Sequence, residues 1–500
     1  MPGIFGGDDV SAIVVDCGSS TFRIGWAGED TPRGVIPTAY GWLPDPEEGG
    51  DAISKAAAAD GNTTSAEDAM EGVEPTGKST SAAGASTDAN ETQPDAASTS
   101  KSSAAAEKWR AKIYGEKRKR FFGDIAVGMY REGGEIASPL NDEGALSSTA
   151  SFLAQTEYAL RASLQADPRE HPLMVTEPSW NSKEMREEMT EIAFEGLQVP
   201  AYYLANSTVL SAFAAGKPTA LIVDVGENSM SAIPVVDGFI LRKGIHRQPI
   251  GGRAVSRALF HSLREPPPQS PRAGKLTEIF PHYLIQSKVP VEPGRPPQVK
   301  LREDRLKGST ESFRMYHTLK VLNDFKEACA QVMEIPWDES HALQRPSKTY
   351  EFPDGYNDSF GVERLRGPEI LFNPKSWQGV GDVLPAPASG TADYVGLADL
   401  ALQAINSTDV DSRAALFSNV VCVGGSTSLP GLTDRLSYEI SIKAAGQKIK
   451  IHSPGNLVER KYSSWIGGSI LSSLGTFHSL WLSKQEYDEH GPALVHARCK

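Results

Sequence analysis

The sequence predicts an α/β fold of two duplicated lobes closing over a shared cleft, and three observations predict it. Ala12-Ile-Val-Val-Asp16-Cys-Gly18-Ser-Ser20 is an apolar strand that ends in Asp and a tight polar turn, and a second strand follows, Phe22-Arg-Ile-Gly-Trp-Ala-Gly28. Ala220-Leu-Ile-Val-Asp224-Val-Gly226-Glu-Asn-Ser229 repeats that plan ahead of Ser231-Ala-Ile-Pro-Val-Val-Asp-Gly238, so both copies read as β-hairpins closed by Gly. Asn419-Val-Val-Cys-Val-Gly424-Gly425-Ser-Thr is a third strand, running into a double Gly. One strand-Asp-x-Gly turn is an ordinary hairpin; two in the same order, with the same following strand, point to duplication.

Each element has a chemical reading. Gly18 and Gly226 let backbone N–H groups turn toward anionic oxygens, and the strand-end carboxylates Asp16 and Asp224 are placed to hold Mg²⁺ through its water shell. Gly424 and Gly425 suit a backbone that passes close to a flat base or ribose. Asp, Asp and Gly-Gly in that order predict two lobes closing over one nucleoside triphosphate and its metal.

Composition bounds the class. At 500 residues the chain is too long for one ordinary core, so two large domains with insertions are expected. No apolar run approaches a membrane span and the N-terminus lacks a basic-then-apolar segment, which reads as soluble and not secreted. The four cysteines are scattered without metal-type spacing or a disulfide framework, and Cys17 and Cys422 read as small core residues. A net charge of −13 disfavours phosphate-driven binding of DNA, while a basic partner such as a histone tail is electrostatically allowed.

In chain order, residues 1–215 are expected to form a smaller lobe, 216–462 a larger one, and 463–500 a segment returning to the smaller. From Leu43 to Lys108 there is no aromatic residue, and the stretch is Ala, Ser, Thr, Asp, Glu and Gly in the main. It cannot bury enough apolar surface to offset the entropy of ordering, so residues 43–118 read as a disordered insertion. Its far end carries Lys117-Arg-Lys-Arg120, which reads equally as an import signal or a solvated turn. In the larger lobe, 250–380 is expected as a peripheral subdomain with a Pro-rich excursion over 264–308, between helical stretches at Arg257–Leu263 and Tyr316–Cys329. Ser464 to Gly475 places Ile466, Ile470 and Leu474 at helical spacing with Leu471 alongside, an apolar stripe.

The chain resembles the actin superfamily, and within it the nuclear actin-related protein 4 class, over its length apart from the insertion. Asp16-Cys-Gly-Ser, Trp26-Ala-Gly-Glu-Asp-Thr-Pro-Arg33, Glu170-His-Pro-Leu-Met-Val-Thr-Glu-Pro178, Tyr462-Ser-Ser-Trp-Ile-Gly-Gly-Ser469 and Trp481–Glu489 are family segments. Ile136–Leu140, Pro178–Asn181, Tyr350–Tyr356 and Gly361–Glu369 carry the subclass resemblance. The resemblance implies the duplicated actin fold, with ribonuclease-H-like sheet cores around a cleft for ATP and Mg²⁺. Asp16 and Asp224 match the carboxylates facing the metal, Gly18, Ser19, Ser20, Gly226, Glu227 and Asn228 the phosphate turns, and Arg23 a phosphate-binding Lys. Gly252, Lys326, Glu327, Gly424, Gly425 and Lys461 match positions around ribose and base.

Departures from the family pattern matter for chemistry. Ser207 stands where the resemblance places the Gln that orients the attacking water, and Ser231 where it places a nearby His. Phosphoryl transfer depends on positioning and electrostatics, so losing both groups predicts ATP binding with little or no hydrolysis. Asn228 replaces a Gly, Glu227 an Asp and Ser20 a Gly, and a planar guanidinium at Arg23 is not a compact ammonium.

The implied function is a nuclear subunit of chromatin-remodelling and histone-acetyltransferase assemblies, acting in chromatin organisation, transcription regulation and DNA repair. The implied partners are monomeric actin and a helical segment of a scaffold subunit, seated in a groove lined by Phe213, Gly216, Ile466, Ile470, Leu471 and Leu474. The main rival, a cytoskeletal filament-forming ATPase, is disfavoured by the polar insertion. A small-molecule kinase on the same fold would need a further acidic base in the cleft.

Overall fold

The computed structural model describes residues 11–44, 119–266, 276, 278–384 and 393–500. Residues 45–118 of the insertion expected over 43–118, with Lys117 and Arg118 of the basic run among them, and residues 267–275 and 277 of the Pro-rich excursion lie outside the described residues.

Two sheets organise the two copies of the hairpin. In the first, β1 (Ile13–Cys17) and β2 (Thr21–Trp26) are antiparallel, and β3 (Gly34–Pro37) continues beyond β2. On the other side of β1 lie the parallel strands β4 (Leu173–Glu177) and β5 (Ala201–Asn206). The second sheet repeats the arrangement with β6 (Ala220–Val225) antiparallel to β7 (Met230–Val236) and parallel to β8 (Val420–Val423). Ile13, Val14 and Val15 are all buried, as are Leu221, Ile222 and Val223, the continuous apolar runs of strands covered on both faces.

The two turns close alike. The Gly18 N–H donates to the Thr21 carbonyl at 3.1 Å and the Gly226 N–H to the Ser229 carbonyl at 2.9 Å. This registers Asp16 directly opposite Arg23, and Asp224 directly opposite Ser231.

Helix α1 (Ser207–Ala214) follows β5, and the Asn206 side chain caps it by accepting from the Thr208 N–H at 3.0 Å. Helix α2 (Gly252–Arg264) and helix α3 (Glu311–Cys329) pack in the larger lobe, whose core includes Val255, Leu259, Leu322 and Phe325. Helix α4 (Leu432–Lys443) begins shortly after the double Gly. Helix α5 (Ser463–Ser473) belongs with the first sheet: buried Trp465 donates its Nε1–H to the Val14 carbonyl at 3.0 Å. Gly467 lets α5 approach α1, since a Cβ there would fall 2.0 Å from the Leu210 carbonyl oxygen. Leu482, further along, pairs with Tyr202 at the edge of β5.

The lobes also meet through a cluster of Tyr283, Leu284 and Phe313 from the larger lobe with Tyr130 and Ile136 from the smaller. Tyr130 stacks on Tyr283 at 6.2 Å and meets Phe313 edge-on at 6.1 Å. The Thr310 hydroxyl donates to the Gly134 carbonyl at 2.5 Å, and the Ile136 N–H donates to the Ser312 hydroxyl at 2.9 Å. A mixed apolar and hydrogen-bonded clasp thus joins residues 130–136 to the start of α3.

Candidate functional site

The hairpin turns of the two sheets face one another across a cavity of about 670 Å³, a size typical of small-molecule sites. Asp16, Gly18, Ser19, Ser20 and Arg23 line it from one lobe. Asp224, Gly226, Glu227, Lys326, Glu327, Gly424, Gly425 and Lys461 line it from the other. Two predicted residues stand behind the wall. Gly252 is packed so that a Cβ would lie 2.7 Å from both the Glu227 carboxylate and the Ser426 hydroxyl. Asn228 is buried, with its side-chain amide 3.4 Å from the Asn141 carbonyl.

Asp16 is almost fully buried and three donors reach its carboxylate. The Thr176 hydroxyl donates to Oδ1 at 2.6 Å, the Ser464 hydroxyl donates to Oδ2 at 2.9 Å, and the Arg23 guanidinium is ion-paired with Oδ2. Asp224 lies in a different setting. Burial pushes its pKa up to about 6, opposed by the Arg23 charge and reinforced by that of Asp16. Cys17 also borders this space instead of sitting in the core, and burial beside Asp16 raises its thiol above the ordinary range. Cys422 is buried in β8 as expected.

The residues fit a nucleoside triphosphate. The turns face one another across the cavity, with the Gly18 and Gly226 N–H groups used in closing their own hairpins instead of facing a ligand as expected, and Gly424 adopts φ +91°, where a Cβ would fall 2.2 Å from the Asp224 carboxylate and 2.5 Å from the Val225 carbonyl. Lys326 is held by the Gly252 carbonyl at 3.0 Å and the Asn323 side chain at 2.9 Å, and lies 3.8 Å from Glu227. Its burial lowers its pKa, with Glu227 and Glu327 acting against that.

The expected metal fits less well. A hydrated Mg²⁺ held by Asp16 and Asp224 needs free carboxylate lone pairs to accept from its waters, and Arg23, Thr176 and Ser464 take three of about four at Asp16. Among the described residues no group of three or more His, Cys, Asp or Glu is arranged to hold a metal ion. Arg23 thus competes with a metal's waters for Oδ2 of Asp16.

Several site residues were not found from sequence. Thr176 and Ser464 reach Asp16 from 160 and 448 positions away, so no local pattern announces them. Tyr462 lies under the Arg23 guanidinium at 5.1 Å. The turn Asn141–Gly144 bridges the lobes: Asp142 pairs with Arg253 at 3.1 Å and Glu143 with Arg247 at 2.9 Å, while Arg247 also stacks on Trp180 at 5.0 Å. Gly144 comes so close to the first turn that a Cβ would stand 3.3 Å from the Ser19 hydroxyl.

Ser207 and Ser231 both line the cavity, so hydroxyls occupy the two positions read as water-orienting. Glu177, a further carboxylate in the lining, is engaged by Arg186 at 3.0 Å and Asn181 at 3.0 Å, which leaves it unsuited as a base for a substrate hydroxyl.

The predicted groove residues sit on α1, α5 and their C-terminal ends. Phe213 is 40% exposed, Ile470 and Leu474 each 39%, Gly216 is exposed at φ +63°, and Ile466 and Leu471 are half-buried. None is core, although Leu474 lies just past the helix, in extended backbone.

Comparison with known proteins agrees with this architecture. The actin family profile matches residues 7–500. The chain is 47% identical to actin-related protein 4 of Mycosarcoma maydis over 540 aligned residues, covering 100% of both chains. It is 37% identical to actin-related protein 4 of Emericella nidulans over 99% of this chain and 98% of that one. With actin-related protein 4 of Oryza sativa subsp. indica it shares 34% identity over 99% and 100%.

Proposed function

The chain belongs to the actin family, and from that premise we propose that it is a nuclear actin-related subunit of chromatin-remodelling and histone-acetyltransferase assemblies that binds ATP as a structural ligand. One observation carries the reading: the facing phosphate turns line a cleft in which Ser207 and Ser231 stand at the water-orienting positions. A hydroxyl on so short a side chain does not aim water as an amide or imidazole does, and positioning supplies most of the catalysis in phosphoryl transfer. ATP bound between the lobes then stabilises the closed state by mass action and fixes the angle between them. The exposed apolar side chains of Phe213, Ile470 and Leu474 support a groove for a partner helix, with monomeric actin as a second partner and histones as a further candidate. Among the described residues no helix is long and apolar enough to cross a membrane.

The test is native purification of the tagged chain from nuclei with stoichiometric mass spectrometry, alongside single-turnover ATP hydrolysis. Near one-to-one recovery with actin and a remodelling or acetyltransferase scaffold is the expected result. Phosphate release is expected to be at least about 100-fold slower than in a family member that keeps the water-orienting side chains. Recovery as sedimenting polymer, or rapid turnover that vanishes in Asp224→Ala, would overturn the proposal.

The clasp at Tyr130 adds a kinetic expectation. Tyr130→Ala removes two aromatic contacts between the lobes, which favours the open state, and the dissociation of a fluorescent ATP analogue is expected to quicken about tenfold. An unchanged rate in stopped-flow chase would mean that the clasp does not gate release.

A further inference from the structure

We propose that the Arg23 guanidinium takes the charge-neutralising place of a divalent ion in this cleft, so that nucleoside triphosphate binds without requiring Mg²⁺. The inference rests on the nucleotide reading above and departs from the family, whose fold normally binds nucleotide with a divalent metal.

The hairpin register brings the pair together. Arg23 is directly opposite Asp16 on β2, so both side chains leave the same face of the sheet. At the matching position of the second hairpin, opposite Asp224, stands uncharged Ser231. The ion pair is thus written into the first hairpin and is not repeated in the second.

The Arg23 side chain is held in place. Its Nε–H donates to the Thr21 hydroxyl at 3.1 Å, its Nη1 pairs with Asp16, its Cζ stands 5.1 Å from the centre of the Tyr462 ring, and it is 12% exposed. Nη2 has no hydrogen-bond partner among the described residues and lies against the phosphate turn, 3.2 Å from where a Gly18 Cβ would stand. A guanidinium in that position can meet Asp16 with one arm of its fork and phosphate oxygens with the other, which a compact ammonium cannot do with the same geometry.

Asp16 completes the argument. A carboxylate has about four acceptor sites, and three donors take three of those of Asp16: Ser464 and Arg23 on Oδ2 and Thr176 on Oδ1. A hydrated metal is left one acceptor site on Oδ1, and any fuller hold on Asp16 competes with the ion pair, which phosphate binding to Arg23 leaves intact.

The experiment titrates the nucleotide-free full chain with a fluorescent ATP analogue, once in excess Mg²⁺ and once in excess EDTA. The two dissociation constants are expected to agree within about threefold. In Arg23→Lys the EDTA affinity is expected to fall at least about tenfold while the Mg²⁺ affinity falls less. Wild-type binding that weakens more than about thirtyfold in EDTA overturns the proposal and leaves the nucleotide reading standing. Binding in neither condition sinks the nucleotide reading and this proposal with it. Should Arg23→Lys fail to fold, the wild-type pair of titrations decides.

Discussion

Gly424→Val is expected to abolish measurable ATP binding, weakening it more than about 100-fold, which corresponds to at least about 2.8 kcal/mol. Gly424 sits at φ +91°, a region that L side chains rarely adopt, and its missing Cβ would fall 2.2 Å from the Asp224 carboxylate and 2.5 Å from the Val225 carbonyl. The Asp224 side chain can swing, but the Val225 carbonyl is backbone of β6 and cannot yield without moving the second phosphate turn. Gly425 supplies the control, since its Cβ would meet only the Lys461 side chain, 4.0 Å away. Gly425→Ala is therefore expected to bind ATP with much smaller loss. Isothermal titration of both variants checks the contrast, and so does the thermal upshift on adding ATP, which follows ligand occupancy. Equal losses in the two variants would mean that ligand contact, and not the backbone at Gly424, sets the effect.

The contrast between neighbouring glycines illustrates what sequence can and cannot carry. The duplicated hairpins were legible because their signals are local: a run of β-branched residues, a strand-end Asp and a Gly turn within ten positions. Helices α2, α3 and α5 were legible from periodicity, with Leu474 misjudged because the stripe outruns the helix by one residue. The face of that stripe was not legible, since spacing alone does not say whether Ile470 and Leu474 meet a neighbour or solvent.

Asp16 shows the limit most clearly. Its identity and its place at a strand end were read correctly, and its partners were not. Thr176 and Ser464 arrive through the parallel pairing of β4 with β1 and the return of α5. Neither can be counted off along the chain. Arg23 could have been found: once Gly18 and Thr21 close the turn, counting outward places residue 23 opposite residue 16. The matched family position suggested phosphate for that side chain, and the ion pair was overlooked. Asn228 stands in the second turn as read, and the partner of its side-chain amide, the Asn141 carbonyl at 3.4 Å, is again one that spacing does not announce.

Arg435→Met is expected to destabilise the larger lobe by about 3–5 kcal/mol, the range found when one partner of a buried ion pair is removed. Arg435 on α4 is 2% exposed and ties three segments together. Its Nη2 pairs with Glu369 at 2.7 Å, its Nε with Glu439 at 2.6 Å, and its Nη1 donates to the Ile335 carbonyl at 2.6 Å while the guanidinium faces the Phe372 ring at 4.9 Å. Burial already pushes the Glu369 pKa up, and Arg435 is the chief force holding it down. Without the cation, Glu369 is left buried beside the Glu439 carboxylate with, among the described residues, only a backbone hydrogen bond at Trp337 to hold its charge, so it must take up a proton or draw in water. A second substitution separates loss of the pair from loss of packing: Arg435→Met with Glu369→Gln removes the stranded charge and is expected to recover at least half of the lost stability. Chemical denaturation of wild type, single and double variants measures all three. The consequence reaches the cleft, because α4 begins just beyond Gly424 and Gly425, and the Val332 N–H donates to the Pro430 carbonyl in between at 2.9 Å. Loosening α4 therefore loosens the double-Gly floor. ATP should rescue Arg435→Met more strongly than it stabilises wild type only if binding re-forms that floor, whereas equal stabilisation would place the damage in the lobe core alone.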